Sequence, residues 1–129
     1  MTKENKELTQ MGVLDCAAKT HVDDLGIKSS DKLILLALCM HINKDISKGY
    51  WCNPSHGLLE REIGFKQRKI SDSIALLQHL GYIKSQSSKY SNTYYINAAL
   101  IVEKHNLWRQ SFKDNKIVDS PFAKVSSSA

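Results

Sequence analysis

The chain has 129 residues, enough for one globular domain with a modest core and short flanking segments, and too few for two independent domains. Eighteen basic against 13 acidic side chains give a formal charge of +5, which makes an acidic partner worth testing. The longest apolar run, LILLALCM at 33–40, falls well short of the roughly 20 residues of a membrane span. Cys16, Cys39 and Cys52 are odd in number and widely spaced, with no apolar signal segment before them. They point to a reduced, cytoplasmic protein with no membrane partner.

In chain order, residues 1–7 are polar and expected to fray. Leu8, Met11, Leu14 and Ala18 recur near helical spacing, which predicts a short helix over about 7–20. IKSSDKLILLALCMHIN follows, with Ser30 as the expected N-cap and Asp31 suited to the first turn. Its apolar residues leave almost no polar face, so this helix is expected to be central, or shared with a second subunit. Asp23-Asp24 before it read as the start of a turn.

Gly49 breaks that helix, and YWC at 50–52 offers only a very short strand. Pro54 stops the strand, and Ser55 can cap a second short helix whose Leu59 and Ile63 share a face. Gly64 suits a left-handed stop. Ile70, Ile74 and Leu77, with Leu80 completing the stripe, then predict a helix over about 67–80. YIKSQ and NTYYIN are two β-prone runs around the Ser-rich SSKYS, as in a hairpin. Tyr82, Tyr94 and Tyr95 are expected to pack in that sheet. Asn97 can cap a last helix carrying Leu100, Ile101, Leu107, Trp108 and Phe112, and KVSSSA reads as a disordered tail.

The charge is unevenly placed: residues 31–97 carry 9 basic and 5 acidic groups, whereas residues 1–30 carry 4 and 5. Its densest cluster, Lys66-Gln67-Arg68-Lys69, opens the helix at 67–80. Cations at the positive end of a helix dipole cost from a few tenths to about 1 kcal/mol each when exposed. A bound phosphate reverses that sign, because backbone N–H groups, dipole and cations then converge on one anion.

Other chemistry is poorly represented. Cys39, His41, Cys52 and His56 form C-x-H and C-x3-H pairs, but a C-x-H spacing on a helix points its side chains apart, so no metal and no other cofactor is expected. There is no phosphate-binding Gly loop, HExxH or nucleophile elbow, so the chain is not expected to be an enzyme, and His21, His79 and His105 are unremarkable as bases.

The order helix, short strand, helix, Gly turn, helix, hairpin resembles the winged helix-turn-helix family of bacterial, phage and plasmid replication and regulatory proteins. The residues carrying the resemblance are LILLALCMHIN, WCNPS, Leu59, Ile63, Gly64, Phe65, Ile70, Ile74, Leu77 and LGYI. Three positions depart from the family pattern: Lys66 where a Ser or Thr cap is preferred, Glu60 where a small residue is usual, and Asp72 where basic or neutral residues are common.

The resemblance implies a mainly α fold with a small β-hairpin. Residues 1–29 form an N-terminal arm, 30–97 the winged domain, 98–116 a C-terminal helix and 117–129 a flexible tail. Gln67, Arg68, Lys69, Ser71 and Asp72 are the candidates for base edges in the major groove of double-stranded DNA, with Asp72 able instead to hold Arg68. Ser55, Lys66, Lys84, Lys89 and Asn92 are the candidates for phosphates, with Tyr90 for a sugar face. Leu100, Ile101, Leu107, Trp108 and Phe112 form the candidate surface of a homodimer.

A transcriptional regulator is the leading expectation. The alternatives are a replication-initiation factor marking an origin, which the chain length mildly disfavours, and a protein-interaction module or phage inhibitor on the same scaffold. Contacts with transcription or replication machinery belong with either nucleic-acid reading.

Overall fold

The computed structural model describes residues 9–47, 49–87 and 92–111. The expected fraying of residues 1–7, the wing tip with Lys89 and Tyr90, Phe112 and the tail lie outside the described residues. Six helices and three strands follow in the order α1 (Gln10–Lys19), α2 (Val22–Leu25), α3 (Ser29–Met40), β1 (Tyr50–Cys52), α4 (His56–Ile63), α5 (Gln67–His79), β2 (Ile83–Ser87), β3 (Asn92–Ile96) and α6 (Ala98–Gln110). The architecture is mainly α-helical with a small antiparallel hairpin, a winged helix-turn-helix.

Helix α3 is the hub. Ile34, Leu35 and Leu38 are fully buried and meet Leu59 of α4 and Ile70, Ile74 and Leu77 of α5 in one core. Each fully buried Leu or Ile contributes about 1.5–3 kcal/mol relative to exposure. Burial is not all-round, however. Leu33 and Met40 lie a helical repeat apart on the outward side and are 49% and 63% exposed. The start of α3 also differs from expectation. The helix begins at Ser29, and Asp31 rather than Ser30 closes it by accepting the Lys28 N–H at 3.2 Å. A charged acceptor makes the stronger cap.

Helix α1 runs antiparallel to α3, and side chains from each satisfy the other's C-terminal carbonyls. Gln10 donates its amide to Met40 O at 2.6 Å, and Lys32 donates Nζ to Thr20 O at 2.7 Å. These orphan carbonyls would otherwise need water. Val13 and Ala17 of α1 are fully buried in the same core as α3, so the segment read as an arm packs against the domain. The short α2, where a turn was expected, starts with His21 Nδ1 accepting from Asp23 N at 3.0 Å.

Helix α6 is capped as anticipated, with Asn97 Oδ1 accepting from Leu100 N at 3.1 Å. It packs on α1 and α2 and buries Ile101 completely. Thr20 Oγ donates to Cys16 O at 2.7 Å and therefore accepts at 3.2 Å from Nδ1–H of His105. Burial pushes the pKa of that imidazole down.

The sheet order is β1-β3-β2, all antiparallel, with Cys52 opposite Tyr94 and Lys84 opposite Tyr95. Alternation on β3 buries Tyr94 and Ile96 beneath the helices, while Tyr95 is half-buried on the other side. Tyr82 is also buried, its hydroxyl donating to Leu25 O. The apolar stripe of α5 ends at Leu77. Leu80, expected to complete it, is the C-cap and 38% exposed, because the chain turns at Gly81 (φ 90°) and brings Tyr82 into the core instead.

Candidate nucleic-acid interface

The turn between α4 and α5 is built by local chemistry at both ends. Ser55 Oγ accepts from Leu58 N at 3.0 Å and starts α4, as its sequence position predicts. Gly64 ends α4 at φ 91°, a conformation that costs a side-chain-bearing residue about 1–2 kcal/mol, and its N–H returns to Glu60 O at 2.8 Å. Three residues later α5 begins. Lys66 occupies its N-cap with no side-chain hydrogen bond, and Lys66 and Arg68 are exposed.

Four buried residues, Ile70, Ser73, Ile74 and Leu77, define the inward side of α5. At 100° per residue the opposite side carries Arg68, Asp72, Ala75 and His79, all exposed. Polar residues on the two flanks are held internally. On one flank Gln67 Nε2 donates to Glu60 Oε1 at 3.1 Å, Ser71 Oγ lies 3.4 Å from His56 Nδ1, and Gln78 Oε1 accepts the Ser85 hydroxyl at 2.6 Å. On the other, Lys69 Nζ lies 3.6 Å from Asp31 Oδ1. Arg68 and Asp72 have no such partner among the described residues, and they do not pair with each other despite their i,i+4 spacing.

The five base-edge candidates therefore separate into groups. Arg68 and Asp72 stand free on the outward stripe, Gln67 and Ser71 sit beside it with intramolecular partners, and Lys69 is turned toward α3. The Lys69 side chain is 38% exposed while that of Asp31 is 4% exposed. Burial pushes the pKa of Asp31 up. The Ser73 hydroxyl at 2.5 Å, the Lys28 N–H and the Lys69 ammonium outweigh that and hold it below the ordinary 3.8. Of the three cations expected to converge on one anion, Lys69 is thus neutralised at home, and Lys66 and Arg68 remain.

Among the phosphate candidates, Lys66 and Lys84 are exposed, Ser55 is exposed with its hydroxyl spent on the α4 cap, and Asn92 is exposed at the start of β3. Lys89 lies outside the described residues. In the set proposed for a dimer, Ile101 is fully buried within the chain's own core and Leu100 packs against it. Leu107 is 51% exposed, and Trp108 is half-buried with its ring 5.5 Å from that of His105.

Three residues of this surface were not singled out for it from the sequence: Ala75, His79 and His56. Extending the helical period outward from Arg68 locates the first two. His56 has no such signal, since its partners Tyr94 and Ser71 are 38 and 15 residues away.

The departures at Glu60 and Lys66 now have local accounts. Glu60 is the acceptor that ties α4 to Gln67 at the start of α5. Lys66, where a Ser or Thr is preferred, gives α5 no side-chain cap. Of the four residues of the C-x-H and C-x3-H pairs, Cys39 and Cys52 are buried, their thiol pKa values pushed up to about 12 chiefly by burial, while His41 contacts Glu62 and His56 contacts Tyr94. Among the described residues no cluster of three or more His, Cys, Asp or Glu side chains could hold a metal ion, and no helix is long and apolar enough to cross a membrane.

No curated protein matches the chain. Residues 25–83, which run from the end of α2 to the start of β2, match the family model described as helix-turn-helix domain, and with the wing-like β2–β3 hairpin this supports a DNA-binding, regulatory role for the chain.

Proposed function

We propose that the chain is a sequence-specific double-stranded DNA-binding protein, a transcriptional regulator of a bacterium, plasmid or phage. Helix α5 enters the major groove, where Arg68 donates to a guanine edge and Asp72 accepts from a cytosine amino group. Ala75 offers a methyl to thymine. Lys66 and Lys84 neutralise phosphates, Lys84 from the wing, and these contacts set the orientation of α5. The observation that carries this reading is the outward stripe of α5. Its two charged groups have no partner among the described residues although they lie one turn apart, while Gln67, Lys69, Ser71 and Gln78 beside it all have partners inside the protein. Unpaired charges of both signs on one helix face suit a ligand that presents donors and acceptors, as base edges do.

A titration of a fluorescent duplex at several salt concentrations tests it. With Lys66, Lys84 and Lys89 at phosphates, log K is expected to fall against log salt with a slope of about −3. A flat profile on every duplex, including fragments enriched by the protein from a random pool, would reject DNA binding. Selected fragments carrying inverted half-sites about one helical turn apart would indicate binding as a dimer.

A protein-interaction module is the second reading, favoured by Met11, Leu33 and Met40, which are 66%, 49% and 63% exposed on α1 and α3. An origin-binding initiator is separated from a regulator by whether loss of the protein stops replicon copying or alters promoter output.

A further inference from the structure

We propose that His56 is a positioning residue that fixes α5 against the wing and so governs how well the protein tells one DNA sequence from another. The inference rests on the reading of α5 as the base-contacting helix.

His56 opens α4 and is half-buried between two elements it does not belong to. Its Nε2 lies 3.1 Å from the hydroxyl of Tyr94 on β3, and its Nδ1 lies 3.4 Å from Ser71 Oγ on α5. A continuous polar relay, Tyr94–His56–Ser71, therefore crosses from the wing strand to the edge of the outward stripe and ends one residue before Asp72.

Its two ends differ in stiffness. Tyr94 is 2% exposed and sits on the middle strand, paired on both sides, whereas Ser71 is exposed. The imidazole transmits the position of the rigid strand to the helix. A neutral imidazole offers one donor and one acceptor, and the flanking hydroxyls can each take either role, so the relay is satisfied in both directions. Phosphate contacts tolerate a small roll of α5. Bidentate base contacts do not, because they depend on the fixed fork geometry of the guanidinium.

The test compares the affinity for an enriched duplex with that for a random duplex in the wild type and in His56→Ala, Tyr94→Phe and the double variant. Tyr94→Phe keeps the packed ring and removes only the hydroxyl. Either single change is expected to lower the enriched-to-random ratio about fivefold to tenfold, the weight of one neutral hydrogen bond. The double variant should lose little more than one single, because both changes cut one relay. His56→Asn, whose amide replaces only Nδ1 near Ser71, and His56→Gln, whose amide replaces only Nε2 near Tyr94, each leave one link cut and should show the same loss as His56→Ala.

Additive losses, or single variants with the wild-type ratio while Arg68→Ala has lost it, overturn the relay and leave α5 as the reader. A wild type with no preference among duplexes overturns both. In the free protein, Tyr94→Phe should move the amide resonances of Ser71 and Asp72. Unmoved resonances overturn the relay whatever the protein binds.

Discussion

Replacing Arg68 with alanine is expected to weaken binding to an enriched duplex by about 1–3 kcal/mol, roughly 5- to 150-fold, and to erase the preference for guanine at one position. The size follows from the surroundings of Arg68. It is exposed on the outward stripe of α5 without a partner among the described residues, so no contact with them has to be broken before it reaches a base, and none of them replaces the base contact once it is gone.

Asp72→Ala should act with the opposite sign on random DNA. A carboxylate near phosphates repels any duplex and is offset only where a cytosine amino group meets it. Its removal therefore tightens random duplexes and loosens the choice at that position. Lys84→Ala is expected to weaken all duplexes alike and to reduce the salt slope by about 1. Fluorescence titrations of the three variants on enriched and random duplexes read all of these effects. Parallel losses from Arg68→Ala and Lys84→Ala on every duplex would remove Arg68 from the bases and leave it at the backbone.

The elements were legible where local chemistry decides them. Ser55, Gly64 and Asn97 cap, stop and start helices through atoms at most four residues away, and each does so in the structure. The inward face of α5 was legible for the same reason, since Ile70, Ile74 and Leu77 repeat at helical spacing. What the sequence could not rank were side chains whose partners are distant along the chain. Lys69 looked like its neighbour Arg68, and only the packing of α5 on α3 brings Asp31, 38 residues earlier, within 3.6 Å of it. The C-x3-H spacing sets His56 beside Cys52 in the sequence, whereas its hydrogen-bond partners come from β3 and α5. The apolar α3 was read as buried on most sides. Composition does not reveal that its Leu33–Met40 edge is left uncovered, since that depends on where α1 lies.

Asp31 offers the other large effect, and it separates stability from binding. Its carboxylate accepts the Lys28 N–H at the start of α3, accepts the buried Ser73 hydroxyl from α5, and faces Lys69. Asp31→Ala removes a helix cap, at a cost of about 1 kcal/mol, and leaves a buried hydroxyl without its acceptor, at a further 1–3 kcal/mol. The ion pair adds little to this, because the Lys69 end is partly exposed and rehydrates. A loss of about 2–4 kcal/mol in urea unfolding at pH 7 is expected.

The pH dependence has a fixed sign. The folded carboxyl titrates below its ordinary 3.8, so its contribution is fully present above that value and disappears as pH falls through the lower, folded value. The gap between wild type and variant should therefore narrow as pH falls below the ordinary carboxyl range, and a gap that widens toward acid would contradict this account. The same substitution frees Lys69 at the first turn of α5. Random duplexes should then bind more tightly, with a salt slope steeper by about 1, even as the fold weakens. A variant that loses stability and DNA affinity together would mean that Lys69 remains turned away, and that α5 has moved with it.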